Sequence, residues 1–142
     1  MDSQTLLVTD LDGTLWFDGE TCHPKSLLAF RVLQERNIAI LVATGRRLRI
    51  VADSFSQFNW EIPCLLLNGS LCHDFAKDRT VFSVPFSNES SASILEIFRL
   101  HGLSPTIYAD DSFVYVKKPT TSNAHIAAIG RDLVPTNSLN VY

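Results

Sequence analysis

No apolar run in this chain approaches the roughly 20 residues a helix needs to cross a bilayer, so no membrane span is expected. Blocks of like charge are missing too: twelve Lys and Arg against fifteen Asp and Glu leave a net charge of −3. A surface that tracks nucleic-acid phosphates needs clustered Lys and Arg, so nucleic acid is not the expected partner. Cysteine is scarce and odd in number. Cys22, Cys64 and Cys72 match no metal-ligand spacing and read as reduced thiols of a cytoplasmic protein. The opening Met1-Asp2-Ser3-Gln4 shows neither the basic start nor the apolar stretch of a secretion signal. Internal repeats and low-complexity segments are absent.

What is present is a globular composition, 46% apolar, in a length that suits one ordinary domain or two small ones. Thr5 to Thr9 reads as a short buried strand ended by an Asp/Gly turn. Pro24 precedes a helical stretch from Lys25 to Arg36, with Leu28, Val32 and Leu33 on one face and Asn37 as its stop. Ile38 to Ala43 is apolar throughout, as a strand covered on both faces would be. Arg47 to Phe58 places Leu48, Val51, Ala52, Phe55 and Phe58 on one helical face, and Cys64 to Leu67 forms a third strand. Strand, helix, strand, helix, strand with short links predicts a parallel sheet made by right-handed crossovers.

After Gly69 the pattern changes. Ser70 to Asp74 and Thr80 to Val84 predict a hairpin, and Glu89 to His101 a helix facing inward through Ile94, Leu95 and Phe98, with Gly102 as its stop. A second hairpin is predicted from Pro105 to Ala109 and Phe113 to Lys117, then a weaker helix from Thr121 to Ile129. Antiparallel pairs alternating with helices point to an α+β unit distinct from the first half.

The chemistry gathers in Asp10-Leu11-Asp12-Gly13-Thr14-Leu15. A strand alternates faces, so Asp10 and Asp12 share a side if the backbone stays near-extended through Leu11. They stand at the strand's carboxyl end, where open α/β sheets bind ligands. Two like charges that close call for a cation between them or a proton on one. Plain turn chemistry is the alternative explanation of Asp-x-Asp-Gly in isolation, and glycosyltransferases also use Asp-x-Asp for metal. Thr44-Gly45-Arg46 ends another apolar strand and so lands on the same sheet edge. A threonine hydroxyl with backbone N–H groups at a helix N-terminus makes an anion site. Metal-binding carboxylates beside an anion cradle suit a phosphate ester.

Asp10 to Leu15 followed by Ala43-Thr44-Gly45-Arg46 resembles the first two motifs of the haloacid dehalogenase superfamily, and within it the Cof-type sugar-phosphatase-like hydrolases. Asn68-Gly69 after the third strand, with an α+β insertion beginning there, is similar to the same subfamily. The resemblance implies a Rossmann-like α/β core with a cap, and Mg²⁺-dependent hydrolysis of a small phosphorylated metabolite such as a sugar phosphate. Asp10 would be the nucleophile that forms an aspartyl-phosphate and would bind Mg²⁺ through its carboxylate. Asp12 would be general acid and then base, its backbone carbonyl a second metal ligand. Thr44 and the Gly45 amide would hold a phosphate oxygen, and Asn68 would border the pocket. Arg46 would either bind the substrate anion or pair across the sheet edge. Glycine at 13 suits the turn that lets Asp12 reach back.

Two of the family's motifs are missing, a lysine after the cap and a Gly-Asp-x-x-x-Asp-like segment. None of Lys25, Lys77, Lys117 or Lys118 stands in a suitable context. The expectation is therefore that 1–68 form the N-terminal part of the core and 69–142 a partial cap. A missing C-terminal segment or a second chain would complete the sheet, since the strand before Asp10 would otherwise be an exposed edge. The 142-residue chain alone is then expected to be incomplete as an enzyme. The alternative is a non-catalytic module that binds a phosphorylated ligand or a partner chain. His23, His73, His101 and His125 share no ligand spacing and read as surface or loop residues; Asp110-Asp111 and Lys117-Lys118 read as solvated turn and strand-end charges.

Overall fold

The computed structural model describes residues 5–17, 21–58, 62–109, 114–117, 129 and 133–136. They fall into two compact units, Met1–Val84 and Pro85–Tyr142. In the first, β1 (Leu6–Thr9), α1 (Pro24–Glu35), β2 (Ala39–Ala43), α2 (Leu48–Phe58) and β3 (Pro63–Leu66) follow one another as the hydrophobic pattern predicts. β1 pairs with β2 and β2 with β3, both in parallel. β4 (Leu71–Asp74) and β5 (Arg79–Ser83) extend this sheet antiparallel, in the order β1-β2-β3-β4-β5. Only a 3-10 turn, Leu67–Gly69, separates β3 from β4. So short a link returns the chain alongside itself, whereas a parallel strand needs a crossover of a dozen residues or more. The hairpin expected to open the second half is therefore part of the first sheet.

Helix α1 starts at Pro24, where His23 Nδ1 accepts from the Lys25 N–H at 3.1 Å. It stops where Asn37 turns left-handed, at φ 56°, with Ile38 N–H donating to Leu33 and Asn37 N–H to Gln34. Its buried face is Phe30, flanked by half-buried Leu27 and Leu33, while Leu28 is 62% exposed. The expected stripe through Leu28 and Val32 is thus rotated by one position. α2 buries Val51 and Phe55 completely, as its periodicity predicts. These side chains meet Leu11, Leu15, Trp16, Val42, Cys64 and Leu66 in one core. β1 is the edge of the sheet, with Leu6 and Val8 more than half exposed, as expected for this strand when no further segment pairs with it.

In the second unit α3 (Asn88–Leu100) is capped by Ser87, whose hydroxyl accepts from Ser90 N–H at 3.1 Å, and ends at left-handed Gly102. Leu95 and Phe98 are half-buried, but Ile94 is exposed rather than turned inward. β6 (Thr106–Tyr108) pairs antiparallel with β7 (Val114–Lys117), which pairs in parallel with β8 (Leu133–Thr136). β8 was not expected, because Pro135 argues against a strand except at an edge, and β8 is an edge. The helix expected over Thr121 to Ile129 lies outside the described residues except for Ile129, as do Asp110, Asp111, Lys118 and His125. Among the described residues no helix is long and apolar enough to cross a membrane.

Candidate active site

The site is built where β1, β2 and β3 end. Past Thr9 the chain bends at Leu11, which is fully buried and anchors the turn. The Leu11 carbonyl accepts from the N–H groups of Thr14, Leu15 and Trp16 at 3.2, 2.9 and 2.8 Å. Gly13, at φ 69°, supplies the left-handed step and donates to the Trp16 carbonyl. Asp10 accepts from the Leu11 N–H at 2.7 Å, which fixes its carboxylate beside the strand end. Among the described residues no backbone N–H of the turn donates to the Asp12 carbonyl.

The loops after β2 and β3 are stitched together. Thr44 is buried; its N–H donates to Leu65 and its carbonyl accepts from Asn68 N–H, at 2.9 and 3.2 Å. Its hydroxyl oxygen accepts from Arg46 N–H at 3.2 Å, and the Arg46 carbonyl accepts from Leu67 N–H at 3.1 Å. Leu67 and Asn68 are both left-handed, at φ 50° and 58°, which β- and γ-carbons disfavour. Strain of this kind persists where surrounding structure over-determines it, commonly at functional sites. Its effect here is to lay the Asn68 carboxamide against Gly45.

Asp10, Thr44, Gly45 and Asn68 come together in an open depression of about 460 Å³, completed by Ala43, Leu65 and Gly69. Asp12 and Arg46 do not line it; they hold each other. Arg46 donates from Nη2 to Asp12 Oδ1 at 2.6 Å and from Nε to Oδ2 at 3.0 Å, a bidentate pair. That donated hydrogen bond holds the Asp12 carboxyl below its ordinary range; partial burial pushes the other way, and the cation's charge adds a lesser pull downward. Of the two roles expected for Arg46, the structure displays the pairing across the sheet edge.

The Asp10 carboxylate, in the depression, is an oxygen donor of the kind a hard divalent cation takes, and Mg²⁺ fits a site with few protein ligands because it keeps several waters. Among the described residues no group of three or more His, Cys, Asp or Glu is placed to hold a metal alone. The three cysteines are buried and unpaired. His73, expected at the surface, is buried on β4, its ring against Phe75 and its Nε2 3.5 Å from Asp78. Sequence reasoning also passed over Trp16. The one signal was the apolar run Leu15-Trp16-Phe17 directly after the polar Asp12-Gly13-Thr14.

The sequence profile of the haloacid dehalogenase-like hydrolases matches residues 7–137. The chain belongs to that family. It is 24% identical over 110 residues to pyridoxal phosphate phosphatase YbhA of Escherichia coli, covering 78% of this chain and 40% of that protein. It is 30% identical over 95 residues to phosphoglycolate phosphatase of Methanopyrus kandleri, covering 67% of this chain and 39% of that protein. The chain thus spans about two fifths of the length of these relatives. A crystal structure of a haloacid dehalogenase-like hydrolase from Bacteroides thetaiotaomicron superposes with a TM-score of 0.74 at 19% identity, over 94% of this chain and 52% of that one. Its fold is the α/β, Rossmann-like one expected from the motif order.

Proposed function

We propose that this chain serves a Mg²⁺-dependent phosphomonoester hydrolase acting on a small phosphorylated metabolite, such as a sugar phosphate, in the cytoplasm. The observation that carries the reading is the convergence of Asp10, Thr44, Gly45 and Asn68 on one depression at the carboxyl ends of three strands. Asp10 attacks phosphorus, giving an aspartyl-phosphate as the ester oxygen leaves. The Thr44 hydroxyl donates to a phosphate oxygen with the Gly45 amide beside it, and Asn68 closes the rim. Asp12 protonates the departing oxygen and then takes a proton from the water that hydrolyses the phosphoenzyme. Mg²⁺, held by the Asp10 carboxylate and the Asp12 carbonyl, would offset the repulsion between an anionic nucleophile and an anionic ester.

The second unit, Pro85–Tyr142, would be part of the family's cap. A further segment, from the same polypeptide or a second one, would pair with β1 and bring the lysine and remaining acidic ligands. Among the described residues β1 is hydrogen-bonded on one side only, and Leu6 and Val8 stand exposed on it, which supports this reading. A second reading, a non-catalytic module that binds a phosphorylated ligand or partner, is favoured by the Arg46 grip on Asp12. The test is hydrolysis of p-nitrophenyl phosphate by the full-length protein with and without Mg²⁺. Asp10→Asn should abolish it; Mg²⁺-dependent turnover surviving that change would refute the nucleophile assignment. Robust turnover by the 142-residue chain alone would eliminate the non-catalytic reading.

A further inference from the structure

We propose that Trp16 is a positioning residue for Asp12, acting through Arg46: the buried indole carries the guanidinium, which in turn grips the carboxylate that moves protons. The proposal rests on the reading of Asp12 as the proton-transfer group.

Three contacts form a chain. The Trp16 side chain is 1% exposed, locked in the core with Leu11 and Leu15. The Arg46 Cζ lies 5.6 Å from the centroid of the Trp16 ring, inside the range of a cation–π contact. Arg46 then reaches both Asp12 oxygens. Backbone geometry closes the loop, since Gly13 N–H donates to the Trp16 carbonyl and Asp12 and Trp16 form a bridge. The carboxylate and the ring that supports its partner therefore belong to one tight turn.

Packing alone does not explain an indole here. Trp16 Nε1 is buried and has no hydrogen-bond partner among the described residues. Burying an unpaired N–H costs free energy that leucine or phenylalanine would avoid. Indole is, however, the ring with the deepest attraction for a cation. An arginine and an aspartate that are each one-third or more exposed ordinarily gain little from pairing, because both must be immobilised. Resting the guanidinium on a fixed ring removes much of that cost. It leaves Asp12 at one position while solvent can still reach it.

Nuclear magnetic resonance tests this independently of turnover. In the wild-type chain, Overhauser contacts should join the Arg46 side chain to the Trp16 ring protons. Arg46→Lys identifies the Arg46 Nε–H signal by removing it. Exchange of that proton with water should quicken about threefold in Trp16→Phe and at least tenfold in Trp16→Leu. Absence of the wild-type contacts would overturn the proposal, as would exchange within a factor of 1.5 of wild type in Trp16→Phe, the variant that decides if Trp16→Leu does not fold. In the full-length protein, Trp16→Leu should slow an alkyl phosphate at least fivefold more than p-nitrophenyl phosphate, whose leaving group needs no proton, with KM within twofold. Equal slowing of both esters would count against the link to Asp12. Loss of all hydrolysis in the wild type would instead indict the phosphatase reading and leave the exchange result standing.

Discussion

The carboxamide oxygen of Asn68 lies 3.0 Å from where a side-chain carbon on Gly45 would stand. Real carbon atoms seldom sit so close, so a side chain at residue 45 would require Asn68 to give way. The two loops they belong to are joined by Asn68 N–H to the Thr44 carbonyl and Leu67 N–H to the Arg46 carbonyl. The proposed anion cradle is therefore a property of two loops at once.

Gly45→Ala should push Asn68 out of the depression. Inorganic phosphate should bind at least tenfold more weakly, read by titration calorimetry, and the fold should lose about 1 kcal/mol. Asn68→Ala on the same background removes the clash and should recover most of that stability. A double-mutant cycle is expected to show coupling of about 1 kcal/mol between the two positions.

The Asp12–Arg46 pair predicts a specific pH dependence. The folded-state carboxyl is held below its ordinary 3.8, chiefly by the hydrogen bond from Arg46. Its contribution is therefore complete above about pH 4 and lost as pH falls through the lower, folded-state value. Because both partners are partly exposed, it should amount to at most about 1 kcal/mol. The stability difference between wild type and Asp12→Asn, from denaturant titrations between pH 2 and 7, should be flat at neutral pH and vanish at the acid end.

How much of this was legible in the sequence depends on which contacts decided each feature. The alternation of apolar runs and the caps at Asn37 and Gly102 are local, and they formed where the sequence places them. Asp10, Thr44 and Asn68 end consecutive strands of a parallel sheet, so their convergence follows from topology alone. The grip of Arg46 on Asp12 spans 34 positions, and sequence reasoning left it open beside substrate binding. The burial of His73 depends on Phe75 and on a hairpin whose place in the sheet was misjudged. Helix α1 shows the limit of periodicity: both candidate stripes are apolar, and only packing selects Phe30 over Leu28.

That selection can be measured. Phe30→Ala should cost about 3 to 4 kcal/mol by denaturant unfolding, since it empties a filled site in the core. Leu28→Ala, on the solvent side, should stay within about 0.5 kcal/mol. Equal losses would mean that the helix presents a different face.

The thiols offer a probe of the sheet interior. Burial, and after it the neighbouring Cys72, pushes the Cys64 thiol up to about 12. Only on the order of one such group in ten thousand is ionised at pH 8. Iodoacetamide should therefore modify Cys64 at least a hundredfold more slowly in the folded chain than in urea, with sites assigned by peptide mass spectrometry.

β1 leads into the proposed nucleophile and, among the described residues, has a hydrogen-bonded neighbour on one side only. Its outward amides have no ladder to protect them, so hydrogen exchange there should run far ahead of that in β2, flanked on both sides. Asp10 and Thr44, which on the proposed mechanism act together on one phosphate, thus follow strands of unequal persistence. Fraying of β1 would leave the proposed cradle at Thr44, Gly45 and Asn68 without its attacking group. On that mechanism anion capture and chemical attack would be separable in time. A strand docked against β1 would synchronise them.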